Sequence, residues 1–238
     1  MRHVLALLGT ALVLAGCSTE DGLRAQELLE RAEAAQLALE SATFEGGLTF
    51  TFGGERGTMQ MRGASVKGEG EWFALDAVGI PGAGAMQMQM VVRDGRAWMD
   101  MGGGWVSAPA PAAPAAGAGG SMSAAAFGQL ARHVRGVRVT ENQLVGGKPV
   151  TTIAGEIDTQ GLLQSLAAGF GDLAKDLDPA EMGVELGDIA AVLAIDERTH
   201  LLDSAYVTFS LQAAGETVKL ELRYKLTSVN EPVTLPAP

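Results

Sequence analysis

Cys17 has the most distinctive chemical setting in this chain of 238 residues, which contains no other cysteine. It follows an almost wholly apolar segment, residues 4–15, which is itself preceded by the basic Arg2. A thiol can be acylated, oxidised or bound to a metal, but a single cysteine cannot form an intrachain disulfide. We therefore interpret Cys17 as an attachment point and not as a redox or metal group.

Residues 1–16 have the order of a secretory signal peptide, with a basic start, a short apolar core and small residues before a cleavage point. The apolar core has about a dozen residues, whereas a membrane-spanning helix needs ~20. The string Leu14-Ala15-Gly16-Cys17 resembles the lipobox of bacterial lipoproteins. This resemblance implies cleavage before Cys17, transfer of diacylglycerol to its thiol and acylation of the new N-terminus, for instance with palmitate. The alternative is an ordinary signal peptide with an incidental cysteine.

Two or more acyl chains on Cys17 would make a durable membrane anchor, since each buried CH₂ contributes ~0.8 kcal/mol. We therefore expect an exported protein that lipid holds on the cell membrane or outer membrane, facing the periplasm or the cell exterior. The formal net charge of −11 disfavours a nucleic-acid partner and electrostatic adhesion to anionic membranes. Any membrane attachment should therefore run through the lipid on Cys17.

Methionines recur at alternate positions in the string AMQMQMVV, which contains Met86, Met88 and Met90. Thioethers are soft ligands that suit Cu(I). On a strand these side chains would be ~7 Å apart on one face, so a neighbouring strand would have to complete any copper site. No histidine or cysteine lies beside them in the sequence, and the pattern favours a core or cavity wall over a copper site.

Residues typical of catalysis do not form a recognisable motif. His133 and His200, the histidines that follow the signal segment, match neither a metal-ligand spacing nor a nucleophile motif. The acidic side chains within residues 172–188 do not fit a calcium-binding loop and indicate a solvated face. We therefore expect no enzymatic activity, no metal site and no cofactor.

One amphipathic helix is predicted over residues 21–41, where apolar side chains recur at helical spacing. Asp21 would cap its N-terminus. Its buried face would contain Leu28, Ala32, Ala35 and Leu39.

Residues 43–106 predict five or six short strands joined by tight turns, which form an antiparallel meander. Apolar residues in the first strand, residues 43–52, alternate with polar ones. Asp94-Gly95 is a strong signal for a two-residue hairpin turn. The Ala-, Pro- and Gly-rich residues 107–121 that follow predict a flexible loop.

The second half of the chain predicts further helices and about five strands. Helical spacing covers residues 121–135 and resumes after Asp158, and a hairpin lies between these two segments. Residues 178–187 indicate a short helical turn or a loop. The last strands turn at residues 196–199, and residues 216–229 alternate so strictly that one face of that strand should be buried.

These elements together predict an α+β fold with about ten strands and few helices. A large antiparallel sheet needs its apolar face covered, and the available helices suffice for one face. A strongly curved antiparallel sheet, a half-barrel wrapped around a few helices, meets this requirement. We expect a single domain over residues 17–238, with the loop 107–121 inserted in it.

Several segments, in this order, resemble the LolA-like superfamily, and most of all its LppX/LprG-type bacterial lipoproteins. They are the lipobox, the helix behind it and the strings VVRDGRAWMDMGGGWV, VGGKPVTTIAGEID and LAIDERTHLLDSAYVTF. The resemblance covers nearly all of the mature chain except the loop 107–121. It implies a bent half-barrel with an apolar cavity between sheet and helices, which takes acyl chains and carries lipids or lipoproteins across the cell envelope.

The apolar faces of the strands lead to three hypotheses about function. In the first, they line a cavity for a lipid or acylated ligand that is transported across the envelope. In the second, they fill a solid core, and the protein is a non-catalytic sensor or scaffold for an envelope protein partner. In the third, the methionines make a copper chaperone. The predicted cavity residues are Phe44, Leu48, Phe50, Phe52, Met86, Met88, Met90, Val92, Val207, Phe209, Leu211, Val218, Leu220 and Leu222.

Overall fold

The computed structural model describes residues 2–79, 85–94, 96–108, 131–145, 147–158, 184–213 and 216–238. They form a long α-helix, a short 3₁₀ helix and eleven strands. In chain order these elements are α1 (Arg2–Leu37), β1 (Ser41–Phe52), β2 (Glu55–Val66), β3 (Gly70–Val78), β4 (Met86–Arg93), β5 (Arg96–Asp100), β6 (Val106–Ala108), η1 (Ala131–His133), β7 (Val134–Val145), β8 (Lys148–Ile157), β9 (Val184–Asp196), β10 (Leu202–Ala213) and β11 (Glu216–Val229).

All eleven strands belong to one antiparallel sheet in the order β6-β5-β4-β3-β2-β1-β11-β10-β9-β8-β7. Each half is a meander, because neighbours in the chain are also neighbours in the sheet. The pairing of β1 with β11 joins the two halves, so β1 lies in the middle of the sheet. The sheet is curved and open, with β6 and β7 as its edges among the described strands.

Tight turns connect the strands where the sequence supplies residues that tolerate positive φ. Gly53 and Gly54 have φ values of 57° and 85° between β1 and β2, and Asp94 has a φ of 53° after β4. Asp196 ends β9, where its side chain accepts a hydrogen bond of 2.8 Å from the backbone N–H of Arg198. These turns set the strand register that the alternating sequence requires.

Strict alternation of side chains gives the sheet one apolar and one polar face. A single rung of directly opposite residues crosses nine strands on the apolar face. Opposite residues in an antiparallel sheet share a face, so a slip of one residue would turn this whole row to the polar side. From β4 to β7 the rung contains Met88, Leu75, Met61, Gly46, Tyr224, Ala205, Leu193, Ile153 and Val139.

Helix α1 covers the apolar face over β7 to β10. Its residues Ala25, Leu29 and Ala32 are at most 2% exposed and belong to the same core cluster as Ile153 and Leu193. Full burial of one such leucine contributes about 1.5–3 kcal/mol. An ion pair between Arg132 and Glu33 also ties η1 to α1.

The predicted α+β class and curved antiparallel sheet are confirmed. The first meander, predicted with five or six strands, has six, and the hairpin predicted over residues 136–158 is formed by β7 and β8. The strictly alternating segment 216–229 is strand β11. The turn predicted at residues 196–199 joins β9 to β10.

Several boundaries predicted from the sequence are wrong. Helix α1 begins at Arg2 and ends at Leu37, so Asp21 lies inside it and is not a cap; the Leu- and Ala-rich residues before Asp21 favour helix as well. The backbone after η1 is strand, because Val134, Val137 and Val139 are β-branched residues that pack well in a sheet.

Residues 184–187 belong to β9 and not to a helical turn or loop. Ser107 and Ala108 close β6, so the predicted loop cannot begin at residue 107. The rest of that loop, most of the helix predicted over 121–135 and the helix predicted after Asp158 lie outside the described residues.

Candidate functional site

The apolar face of the sheet falls into two regions that differ in burial. Beneath α1, Ile153 and Leu193 are fully buried and Ile189 is 7% exposed. On β1 to β4 the same face carries large apolar side chains that are only half-buried, interspersed with the buried Phe44, Met61 and Ala77, and we call the half-buried group the apolar wall. The apolar wall consists of Leu48, Phe50, Met59, Leu75, Met86, Met88 and Met90.

Strand register places the residues of the apolar wall on two neighbouring rungs, which also contain the buried Met61 and Ala77. Met88 lies opposite Leu75, and Leu75 lies opposite Met61. The adjacent rung on this face consists of Met86, Ala77, Met59 and Leu48, each opposite the next. Four strands spaced ~4.8 Å apart give the wall a width of roughly 14 Å.

The predicted cavity residues all lie on strands whose register puts them on this apolar face. Leu48 lies opposite Leu222, which lies opposite Val207. Phe44 and Val207 are 5% and 4% exposed and belong to the core cluster beneath α1. These two side chains therefore belong to the filled core. That the remaining residues line a lipid-binding cavity stays a prediction.

Met86, Met88 and Met90, predicted as an alternative copper site, share this face on β4, and β3 separates them from the methionines of β2. Leu75 lies between Met61 and Met88, so those two strands are roughly 10 Å apart. The nearest partner of Met90 is instead Met99 on β5, directly opposite it. In the part of the chain that the structure describes, no cluster of three His, Cys, Asp or Glu residues could hold a metal ion.

One polar pair is built into the apolar face where α1 ends. Gln36 in the last turn of α1 is 2% exposed and Tyr224 of β11 is 3% exposed, and Gln36 acts on the ionisation of the Tyr224 hydroxyl. The Tyr224 ring also packs on Phe44, with 5.9 Å between the ring centroids. Burial raises the pKa of Tyr224, and the effect of Gln36 opposes this shift only in part, so the phenol stays protonated.

An open trough of about 1080 Å³ lies across the middle of the sheet, mainly on its polar face. Its lining runs from β3 to β8 and includes Gly46 and Gly47 of the central strand. We call it the polar trough. Its charged lining residues are Arg56, Arg62, Arg223, Lys225, Glu45 and Asp76.

Sequence reasoning missed the polar trough, although the signal for it was present. The alternation of β11 already placed its charged residues on the face opposite the apolar one. Nothing in the alternation shows that the same face carries a depression, because that depends on how strands from both halves of the chain come together.

Other residues singled out in the sequence lie outside these two surfaces. Cys17 lies within α1, and its lipidation, like the removal of residues 1–16, stays a prediction. The His133 carbonyl accepts a hydrogen bond of 2.7 Å from the Asp158 N–H, and partial burial lowers the pKa of the His133 imidazole. His200 ends a turn, where its N–H donates to the Asp196 carbonyl at 2.8 Å. No helix among the described residues combines the length and hydropathy needed to cross a bilayer.

Comparison with solved structures identifies the architecture. The crystal structure of LprF from Mycobacterium bovis matches with a TM-score of 0.51 and 13% identity, covering 90% of this chain and 97% of that one. The chain has a LolA-like fold. The lipoprotein LppX from Mycobacterium tuberculosis aligns at a TM-score of 0.44 and 13% identity, covering 90% of this chain and 98% of that one. No protein-family model matches the chain, and no curated protein matches it by sequence.

At 13% identity the match to LprF establishes the LolA-like fold and no more. It does confirm the fold that the sequence resemblance implied, a curved antiparallel sheet with its apolar face against a helix. The alignment runs over 90% of the chain, so the fold assignment applies to the whole sheet and not to one hairpin.

Proposed function

We propose that this protein is a lipid-anchored envelope protein whose apolar wall shelters the acyl chains of a lipid or lipidated ligand. The observation that carries this proposal is the difference in burial along one apolar face. Under α1 the side chains of Ile153, Leu193 and Ile195 are fully buried, whereas on β1 to β4 a row of leucine, phenylalanine and methionine side chains, interrupted by the buried Met61 and Ala77, is only half-buried. Ordinary cores do not keep such a row at partial exposure.

Acyl chains suit this surface because they require contact with apolar area and no polar recognition. Burial of each CH₂ group of the acyl chain contributes ~0.8 kcal/mol. Contact with a few rungs of the apolar wall therefore offsets most of the free-energy cost of removing the acyl chain from a membrane. Met86, Met88 and Met90 add flexible, polarizable side chains that adapt to ligands of different shape. Transfer would then need no chemical step: a lipid leaves one membrane, is shielded by the wall and enters another.

Anchoring of the mature chain through Cys17 completes the proposal. A tether keeps the carrier next to the donor membrane, while the net charge of −11 keeps its surface from adhering to anionic lipids. The LolA-like fold is consistent with this role.

The proposal is tested by extracting the purified protein with organic solvent and identifying bound lipid by mass spectrometry. Met88→Glu puts a charge on the apolar wall, and Gln89→Glu puts the same charge on the adjacent residue, which points to the opposite face. We expect lipid with the wild type and with Gln89→Glu, and at least tenfold less with Met88→Glu. Equal lipid content in both variants would refute binding at the apolar wall.

A scaffold or sensor role is the second candidate, and the filled core beneath α1 favours it. Ile153, Leu193 and Ile195 leave no exposed surface there. If the rest of the face is equally filled in solution, wild-type extracts should contain no lipid above the level of Met88→Glu. That outcome would exclude carriage and support a protein partner.

A further inference from the structure

We propose that the polar trough, together with the tryptophans on β3 and β5 of the same face, forms a binding site for an anionic glycan. The site lies on the face of the sheet opposite the apolar wall and is independent of lipid binding. The trough extends from Asp76 on β3 to Thr152 on β8. Seven strands at ~4.8 Å spacing make it roughly 29 Å long, enough for an extended oligosaccharide.

The trough is basic on a protein that is strongly acidic. Four of its lining residues are cationic and two are anionic, whereas the whole chain carries a formal charge of −11. Within the described residues, Arg56, Arg62 and Lys225 make no ion pair and no side-chain hydrogen bond, so their donors are available. Guanidinium groups bind carboxylate and phosphate through paired N–H donors. A local excess of positive charge in a depression therefore selects an anionic ligand.

Aromatic rings and neutral hydrogen-bonding groups distinguish a glycan from a simple anion. Trp72 and Trp98 lie opposite Val91 from either side on the polar face, and both rings are half-buried. The Trp72 ring N–H donates to Gln89 at 3.4 Å. Flat rings that keep one face accessible can stack on the C–H faces of sugars.

Hydroxyl and amide side chains line the trough itself. Its neutral polar lining residues are Thr49, Thr58, Gln60, Thr152, Ser204 and Tyr206. Arg223 stacks 5.5 Å above the Tyr206 ring, which fixes a cation beside an aromatic surface at the centre of the trough.

A peptide fits this site less well than a glycan. Extended peptides usually bind a sheet by adding to its edge, where backbone N–H and C=O groups are free. The trough crosses the middle strands, β2, β1, β11 and β10, whose backbone groups are already paired on both sides. Recognition here must therefore come from side chains. Hydrogen-bond donors, hydrogen-bond acceptors and aromatic rings lie together on this face, and this combination suits a hydroxyl-rich chain with regularly spaced charges.

Titration calorimetry of the full chain tests the site with defined probes. Polygalacturonate supplies carboxylates on a glycan, glycerol-phosphate teichoic acid supplies phosphates, dextran is a neutral glycan and polyglutamate is a polyanionic peptide. We expect at least one anionic glycan to bind, with affinity that falls as salt rises. Dextran and polyglutamate should bind at least tenfold more weakly.

Matched variants place the binding on the trough. Arg62→Ala combined with Arg223→Ala should weaken glycan binding at least tenfold, whereas Arg31→Ala with Lys67→Ala removes the same charge elsewhere and should change it less than twofold. Trp98→Leu should weaken binding of the glycan several-fold. The proposal is overturned if neither anionic glycan binds, if polyglutamate binds as tightly, or if the two double variants behave alike.

Discussion

Substitution of Gly46 by alanine tests how closely strands β1 and β11 pack. Their pairing joins the two halves of the sheet. A Cβ atom at Gly46 would lie 2.7 Å from the backbone carbonyl oxygen of Arg223 on β11. A carbon–oxygen contact normally needs about 3.3 Å, so β1 and β11 would have to separate by about 0.6 Å. The obstructing atom is backbone and cannot move alone, since it belongs to the ladder that joins the two halves of the sheet.

The adjacent Gly47 provides a matched control in the same strand. A Cβ there would meet its nearest atoms at 3.4 Å, two of which are at the end of the flexible Gln60 side chain. Overpacking of a tight site costs about 1–3 kcal/mol, so Gly46→Ala should lower the free energy of unfolding by that amount. Gly47→Ala should leave it unchanged or raise it by about 0.5 kcal/mol, because alanine restricts the unfolded chain.

Urea denaturation followed by circular dichroism measures both variants. We expect the midpoint of Gly46→Ala to fall with the slope m unchanged, which would indicate lower stability and not a change in the extent of unfolding. In a domain of this size the melting temperature should fall by about 2–4 °C for each kcal/mol lost. Equal midpoints for Gly46→Ala and Gly47→Ala would contradict the register and spacing of β1 against β11.

Three further predictions concern the helix, the buried phenol and the anchor. Leu29→Ala should destabilise the fold by about 3–5 kcal/mol in urea titrations, because Leu29 is 2% exposed, whereas Leu23→Ala should change stability by less than 0.5 kcal/mol at its 74% exposure. Burial raises the pKa of Tyr224 above its unfolded value of ~10, so its contribution to stability should be intact below pH 10 and be lost as pH rises further. Tyr224→Phe should remove the loss of stability that is due to this phenol. Absorbance reports the ionisation of the phenol, and circular dichroism reports unfolding. Cys17→Ala should abolish metabolic labelling with palmitate and release the protein from the membrane fraction. Ser18→Ala should keep both the palmitate labelling and the membrane association.

Local sequence patterns predicted the strands well, because alternation is a property of neighbouring residues. Residues 216–229 alternate without interruption, and β11 has the limits that this pattern requires. The alternation of Met86, Met88 and Met90 likewise placed them on one face, and their partners on β3 confirm it. The curved antiparallel architecture followed from the same patterns, since so large an apolar face needs cover on one side.

Features that depend on distant residues could not be read from such patterns. Gln36 is a polar residue in a helix and gives no sign that it is buried and acts on Tyr224, which lies 188 positions later in the chain. Val91 lies on the polar face by alternation, yet it is fully buried between Trp72 and Trp98 because both neighbouring strands carry tryptophan opposite it. The polar trough also results from the joint bending of many strands, which no single segment encodes.

Photo-crosslinking with a diazirine-labelled fatty acid tests lipid shelter on the apolar face most directly. After irradiation and proteolysis, mass spectrometry should find saturable labelling at Leu48, Met86, Met88 and Met90, and unlabelled fatty acid should compete for it. Gln87 and Gln89, on the opposite face of the same strand, should remain unlabelled. Labelling that is spread equally over both faces of β4, or that fails to saturate, would contradict a lipid-binding role for the apolar wall.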